Sequence, residues 1–310
     1  MACYRPLTAY QAGNGAVVFT DNLKRHDIRR QLLLPCGQCV GCRLERSRVW
    51  AARCMHEAQM HEQNSFITLT YNDENLRSPS LEHRDFQLFI KRLRKSLGSK
   101  NRAQHGGFAP IPPISYYMAG EYGTQTRRPH FHACIFGWEP KDKLYWRTTG
   151  SKSRLYTSEQ LDKLWGKGFA SIGDVNFESA AYIARYIMAK ITGPNAWQYY
   201  MKVNEETGEI TELKPEYNRM SLKTPIGKTW IQKYETDVYP EGEILIRKVK
   251  TKTPKYYDRQ YKKKEPDQYE EMKMKREMQS KEYLPDNTEQ RLKAKERVKL
   301  AQINKLTRNL

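Results

Sequence analysis

One stretch of the 310-residue chain concentrates residues able to do chemistry: Arg128-Pro129-His130-Phe131-His132-Ala133-Cys134-Ile135-Phe136-Gly137. Side chains alternate along a strand, so a strand over 130–137 puts His130, His132 and Cys134 on one face and Phe131, Ala133 and Ile135 on the other. Two imidazoles side by side can share one metal ion. Further along runs Glu178-Ser-Ala-Ala-Tyr182-Ile-Ala-Arg-Tyr186-Ile-Met-Ala-Lys190. Tyr182, Tyr186 and Lys190 recur every four residues and share one helical face. Ile183, Ile187 and Ile191 form the adjacent stripe, expected to face the core. A free phenol has a pKa near 10 and is scarcely ionised at neutral pH. A nearby cation or a metal-polarised target would activate it as a nucleophile. Alone, each pattern has a bland explanation, as satisfied histidines or as core-filling tyrosines. Together they point to a metal site served by phenols.

The elements that must position these residues follow from periodicity and punctuation. The sequence predicts a helix over 43–61, a strand over 65–70 and an amphipathic helix over 82–97 that buries Phe86, Phe89, Ile90 and Leu93. Residues 98–113, with Gly106-Gly107 and three prolines, read as a loop. A strand over 114–119 and the histidine strand make an antiparallel pair around Gly123. A short helix near 158–165, a strand over 169–175 and the tyrosine helix, ended by Gly193-Pro194, complete β-α-β-β-α-β-α. Residues 205–212 read as an exposed hairpin or loop. The charged segment 262–310 reads as a helical tail, partly disordered when free.

The histidine and tyrosine segments resemble the HUH endonucleases, more narrowly the two-tyrosine type that starts rolling-circle DNA replication. Further stretches are similar to the replication initiators of gokushovirus-type microviruses, small single-stranded DNA phages: Pro35-Cys-Gly-Gln-Cys-Val-Gly-Cys42, Phe66-Ile-Thr-Leu-Thr-Tyr71 and Phe89-Ile-Lys-Arg-Leu-Arg-Lys95. The likeness covers about residues 1–235. One departure is Ser221-Leu-Lys-Thr-Pro-Ile-Gly227, which stands where that family has a more basic segment. The resemblance implies an α+β, ferredoxin-like or RRM-like HUH fold with a central antiparallel sheet and helices on one side. It implies three regions: an N-terminal cysteine knuckle and helix (1–62), the endonuclease domain (63–235) and a basic C-terminal extension (236–310).

It also implies a mechanism. His130 and His132, with Glu121 as third ligand, hold Mg²⁺ or Mn²⁺. Tyr182 or Tyr186 attacks the scissile phosphate to give a 5′-phosphotyrosine link and a free 3′-hydroxyl, and Lys190 offsets charge. The implied partners are single-stranded and supercoiled origin DNA and the host helicase and polymerase, in the cytoplasm of a bacterial host. Competing readings are a non-catalytic RRM-like nucleic-acid-binding protein and an HUH transposase or relaxase.

Composition agrees. Lys and Arg number 54 against 35 Asp and Glu, a formal charge of +19, which favours a polyanionic partner. Arg92, Lys95, Arg127 and Arg128 are candidates for phosphate contacts. Twenty tyrosines offer surfaces on which unpaired bases can stack. No apolar run approaches the length of a membrane span, and the start lacks an apolar signal core, so a soluble intracellular protein is expected. Disulfides are not expected in such a chain. Cys36, Cys39 and Cys42 have the spacing of a metal knuckle, and Cys3 or Cys54 could supply a fourth thiolate to a structural Zn²⁺. Reduced, unliganded thiols and an iron–sulfur cluster are the alternatives.

Overall fold

The computed structural model describes residues 3–19, 27–104, 113–150, 152–191, 193, 195–204 and 207–305, without the side chains of 100–104 and 185–189. Strands β1 (Leu7–Ala12), β2 (Val17–Val18) and β3 (Ile28–Leu34) precede helix α1 (Val40–Ala58). Then come β4 (Asn64–Thr70), α2 (His83–Gln104), β5 (Ser115–Tyr122), β6 (Pro129–Phe136), β7 (Leu144–Thr148), β8 (Arg154–Thr157), α3 (Glu159–Trp165), β9 (Ala170–Gly173) and α4 (Phe177–Ala189). Next are α5 (Ala196–Tyr199), the hairpin β10 (Met201–Val203) and β11 (Ile210–Glu212), β12 (Tyr217–Met220), α6 (Lys228–Lys233) and α7 (Glu235–Val238). A hairpin of β13 (Glu243–Ile246) and β14 (Val249–Lys252) leads to α8 (Lys255–Lys264), α9 (Pro266–Glu282) and α10 (Glu289–Lys305).

The chain forms two compact units. One is Ser47–Gln260; the other joins the first 46 residues to the segment that begins at Tyr261. In the larger unit seven strands make a sheet in the order β12-β5-β6-β4-β9-β8-β7, every pair antiparallel. In the smaller unit β1 pairs with β2 and β3.

The large sheet is covered on both faces, which corrects the expectation of helices on one side. Phe131, Ala133 and Ile135 of β6 pack with Phe86, Phe89, Ile90 and Leu93 of α2 and Leu161 and Trp165 of α3. Cys134 and Phe136, pointing the other way, pack with Ala51 and Cys54 of α1 and Ala180, Ile183 and Ala184 of α4. The physical cause is visible in β5 and β6, which are buried almost without alternation, as strands between two layers must be. Helix α2 continues through Gly98 to Gln104, beyond its expected end at 97. The Gly-Gly and proline segment falls largely in 105–112, outside the described residues.

Helix α4 starts on a reciprocal cap. The Ser179 amide donates to Asn176 Oδ1 (2.8 Å) and the Asn176 amide to Ser179 Oγ (2.9 Å). Two side chains then fix the helix in place: Ser47 Oγ donates to the Ala181 carbonyl and Asn218 Nδ2 to that of Ile183. Ile183 is fully buried, as expected. Ile191 is not part of the core stripe. It lies past the helix end and is 40% exposed. The Ser221–Gly227 segment acts as an anchor. Arg53 donates twice to the Ile226 carbonyl, and the Gly227 amide donates to Glu57. Gly227 has φ +76°, and a Cβ there would lie 2.3 Å from the Tyr257 hydroxyl oxygen, so no other residue fits.

Candidate metal centres and their surroundings

Three side chains converge on the sheet face that carries α1 and α4. Antiparallel register sets Glu121 of β5 directly opposite His130 of β6, and Thr68 of β4 opposite His132. Paired residues share a face, so three adjacent central strands aim one carboxylate and two imidazoles at one point. Glu121 Oε1 is 2.6 Å from His130 Nε2 and 2.7 Å from His132 Nε2. Glu121 and His132 are buried, and His130 is partly exposed.

The opposite ring nitrogens are also held. His130 Nδ1 lies 3.2 Å from the Arg128 carbonyl oxygen, which can only accept, so Nδ1 carries the proton there. His132 Nδ1 lies 2.9 Å from Thr68 Oγ1. A neutral His130 therefore turns an Nε2 lone pair toward a carboxylate oxygen, and only a proton or a cation between them relieves the repulsion. Burial opposes ionisation of Glu121, yet hydrogen bonds from the two imidazoles outweigh it and hold its pKa below the usual carboxylate value. Burial likewise opposes charge on His130, but its bond to Glu121 prevails and raises its pKa. At His132 burial wins and the pKa falls. One imidazole is poised to stay neutral, as a metal ligand must. Glu121 Oε2 is buried with no hydrogen-bond partner among the described residues. That orphaned oxygen and the nitrogen–oxygen donor set fit a divalent cation.

Helix α4 brings Tyr182 to this point. Its ring meets the His132 ring edge-on at 5.1 Å between centroids, and Phe66 stacks on the other side of His132 at 5.7 Å. Tyr182 is half-buried. The Tyr186 side chain lies outside the described residues. Lys190 is half-buried and forms the C-cap of α4, about 12 Å along the helix axis from Tyr182.

The proposed phosphate-contacting residues do not gather in one place. Arg127 and Arg128 lie in the turn just before His130. Arg128 donates to the Tyr71 carbonyl and pairs with Asp73; Arg127 donates to the Tyr199 carbonyl and lies over the Tyr199 ring. Arg92 is on α2, which covers the face opposite the histidines, and donates to the last carbonyls of α3, those of Leu164 and Trp165. Lys95 is exposed on the same helix. Thr68 is the contact missed in the sequence. Its signal was the alternation of Phe66, Thr68 and Thr70, positions in register with the histidine face.

In the smaller unit the sulfurs of Cys3, Cys36, Cys39 and Cys42 all lie within 4.8 Å of one another. Cys3 Sγ is 3.6 Å from that of Cys36 and 3.9 Å from that of Cys39. Four thiolates at zinc–sulfur bond length would stand about 3.8 Å apart in a tetrahedron. Backbone amides of Tyr4, Cys36 and Cys39 donate to the sulfurs of Cys39, Cys3 and Cys36. Burial opposes the Cys39 thiolate, but these amide and neighbouring thiol bonds bring its pKa down to about 7. Cys3 is thus the fourth member. Cys54 lies instead in the core of the larger unit beside Cys134, where burial pushes its pKa up.

Residues 64–191 match the family model of the phage replication-associated protein ORF2. The chain is 34% identical to the replication-associated protein VP4 of Bdellovibrio phage phiMH2K over 91% of its own length and 84% of that protein's. It is 32% identical to the replication-associated protein ORF2 of Spiroplasma virus 4, covering 84% of this chain and 80% of the relative. This chain belongs to the microvirus-type family of phage replication-associated proteins. A third member, ORF4 of Chlamydia phage 1, is 33% identical over 51% of this chain and 38% of its own. No solved structure matches the chain. The match to the family spans β4 to the end of α4, and so contains Glu121, His130, His132 and Tyr182. Among the described residues no helix is long and apolar enough to cross a membrane.

Proposed function

We propose that this replication-associated protein is a metal-dependent nickase that cuts one strand of origin DNA and starts rolling-circle replication. The observation that carries the reading is the placement of Tyr182 against His132, within a site whose donors suit a divalent cation. The β-α-β-β-α-β order and the antiparallel neighbours β5-β6-β4-β9 support a ferredoxin-like HUH core. Glu121, His130 and His132 would hold Mg²⁺ or Mn²⁺. When bound, that ion withdraws charge from the scissile phosphate and orients it.

The chain's own residues do the rest. Thr68 and the Arg128 carbonyl hold the imidazoles in the tautomer that leaves Nε2 free. The Tyr182 hydroxyl oxygen bonds to phosphorus as the bond from phosphorus to the 3′ oxygen breaks. The proton lost by the phenol is matched by one gained at the 3′ oxygen. The products are a 5′-phosphotyrosine and a free 3′-hydroxyl that primes host polymerase, with the unwinding left to host helicase. Tyr186, one helical turn on, would cut the regenerated origin while Tyr182 still holds its strand. Lys190 would offset phosphate charge. The four-cysteine group would hold a structural Zn²⁺ with no part in cleavage.

Labelled genome-strand oligonucleotides incubated with the protein and Mn²⁺ should yield an adduct that survives denaturing gels and maps to the peptide bearing Tyr182 and Tyr186. Tyr182→Phe with Tyr186→Phe should abolish it while DNA binding persists. An adduct that survives the double change overturns the reading.

A further inference from the structure

The far edge of the large sheet carries aromatic groups that its packing does not use. Strand β7 is exposed along its whole length. Trp146 is 42% exposed, and its ring meets that of Phe169, also 42% exposed, at 5.0 Å between centroids. The Arg147 guanidinium lies 4.2 Å over the Trp146 ring. Buried, such rings would stabilise a core. Left in water on an edge strand, they cost solubility and invite aggregation.

Register shows which way they face. The Thr70 amide and hydroxyl both donate to the Phe169 carbonyl, so the β4–β9 pairing extends to Phe169, level with Thr70. Thr70 is in turn opposite His130. Ala170, the next residue, points into the core with α2 and α3, which turns Phe169 to the histidine face. Arg147 is paired with Leu155, whose side chain lies beside Gly173, the cross-strand neighbour of Phe66 on that same face. Two strand spacings separate Phe169 from His130, about 10 Å.

We propose that Phe169, Trp146 and Arg147 form a platform on which unpaired bases of single-stranded DNA stack, beside the phosphate held at the histidines. Flat faces accept any base, and the guanidinium adds both a stacking plane and a charge for the backbone. The proposal rests on the nicking reading for which strand is held, whereas the stacking is measured without cleavage.

Binding of a labelled oligothymidylate, which lacks a cut site, to the full-length chain provides the test. Trp146→Ala should weaken binding about tenfold or more and leave the salt dependence unchanged, while Trp146→Phe should retain most of the affinity. Arg147→Ala should lower the slope of log affinity against log salt by about 0.7. Leu245→Ala, an exposed apolar position on β13, should change nothing. Equal affinity of the Trp146→Ala chain overturns the platform, as does a Trp146→Ala effect confined to self-association, which would mark the edge as a contact between copies. Either result leaves the adduct assay standing, and a failed adduct assay leaves this one standing.

Discussion

The chain holds two groups able to bind metal, and they differ in the one property that separates chemistry from support. The four cysteines are saturated: each sulfur has sulfur neighbours, and backbone amides point at three of them. A tetrahedral ion there would have no open position. The group on the sheet offers only three donors, leaves Glu121 Oε2 without a partner among the described residues and has a phenol ring against one imidazole. An ion there keeps positions for a substrate. Closed thiolate and open nitrogen–oxygen sites in one chain divide folding from reaction.

The strongest way to break that division is to remove one metal and watch the other function. His132→Ala, or omission of divalent metal, should lower adduct formation on the order of 10³-fold, the several kcal/mol that a Lewis acid supplies. Far-UV circular dichroism should show the fold retained. If adduct formation is unchanged, the sheet site is not where the chemistry occurs.

Next in size is the cysteine group. Purified protein should carry one zinc that Cys3→Ser loses, with a fall in Tm, whereas Cys54→Ser should keep it because Cys54 lies in another core. Free energies of structural zinc sites run to about 10 kcal/mol or more, so the loss should be plain in thermal melts. Retention of zinc by the Cys3→Ser chain would assign the fourth position elsewhere.

A third buried histidine sharpens what the carboxylate does at the sheet site. His56 stacks on Trp230 and meets the Tyr257 hydroxyl, with no carboxylate bonded to it among the described residues, and burial brings its pKa down from 6.5 to about 4. Below pH 6.5 the unfolded chain takes up a proton that the folded chain refuses until about pH 4. Stability should therefore be full above pH 6.5 and fall by about 3 kcal/mol as the pH drops through that window. Urea denaturation across pH 4–7 checks it, and His56→Phe should flatten the slope. At His130 the neighbouring Glu121 reverses the direction of the shift.

Much of this arrangement was legible because it is local. The alternation of His130, Phe131 and His132 predicts a strand with two distinct faces, and the alanines around Tyr182 predict the helix. What escaped notice depends on distant partners. Cys3 meets its partners across more than thirty residues, a choice that spacing could not make against Cys54. Strands β7 and β8 were not foreseen because β7 is exposed on both faces and shows no period of two. Strand β12 is short and polar, and only its pairing with β5 makes it a strand. The second helical layer had a readable signal, the nearly unbroken apolar run Phe131 to Phe136, in which Cys134 and Phe136 needed cover of their own.

The finest test of the open site concerns Thr68. Its hydroxyl lies 2.9 Å from His132 Nδ1 and has no role in either hydrophobic cluster. Thr68→Val keeps the β-branched shape that suits β4 but cannot hydrogen bond. The imidazole then loses the partner that fixes its tautomer, and Nδ1 is left buried without one. Metal affinity should fall about 10- to 100-fold, and high Mn²⁺ should restore adduct formation. Thr68→Ser, which keeps the hydroxyl, should stay close to the parent. A Thr68→Val chain that needs no extra metal would mean that Phe66 and Tyr182, packed on the two sides of His132, already hold the ring in place.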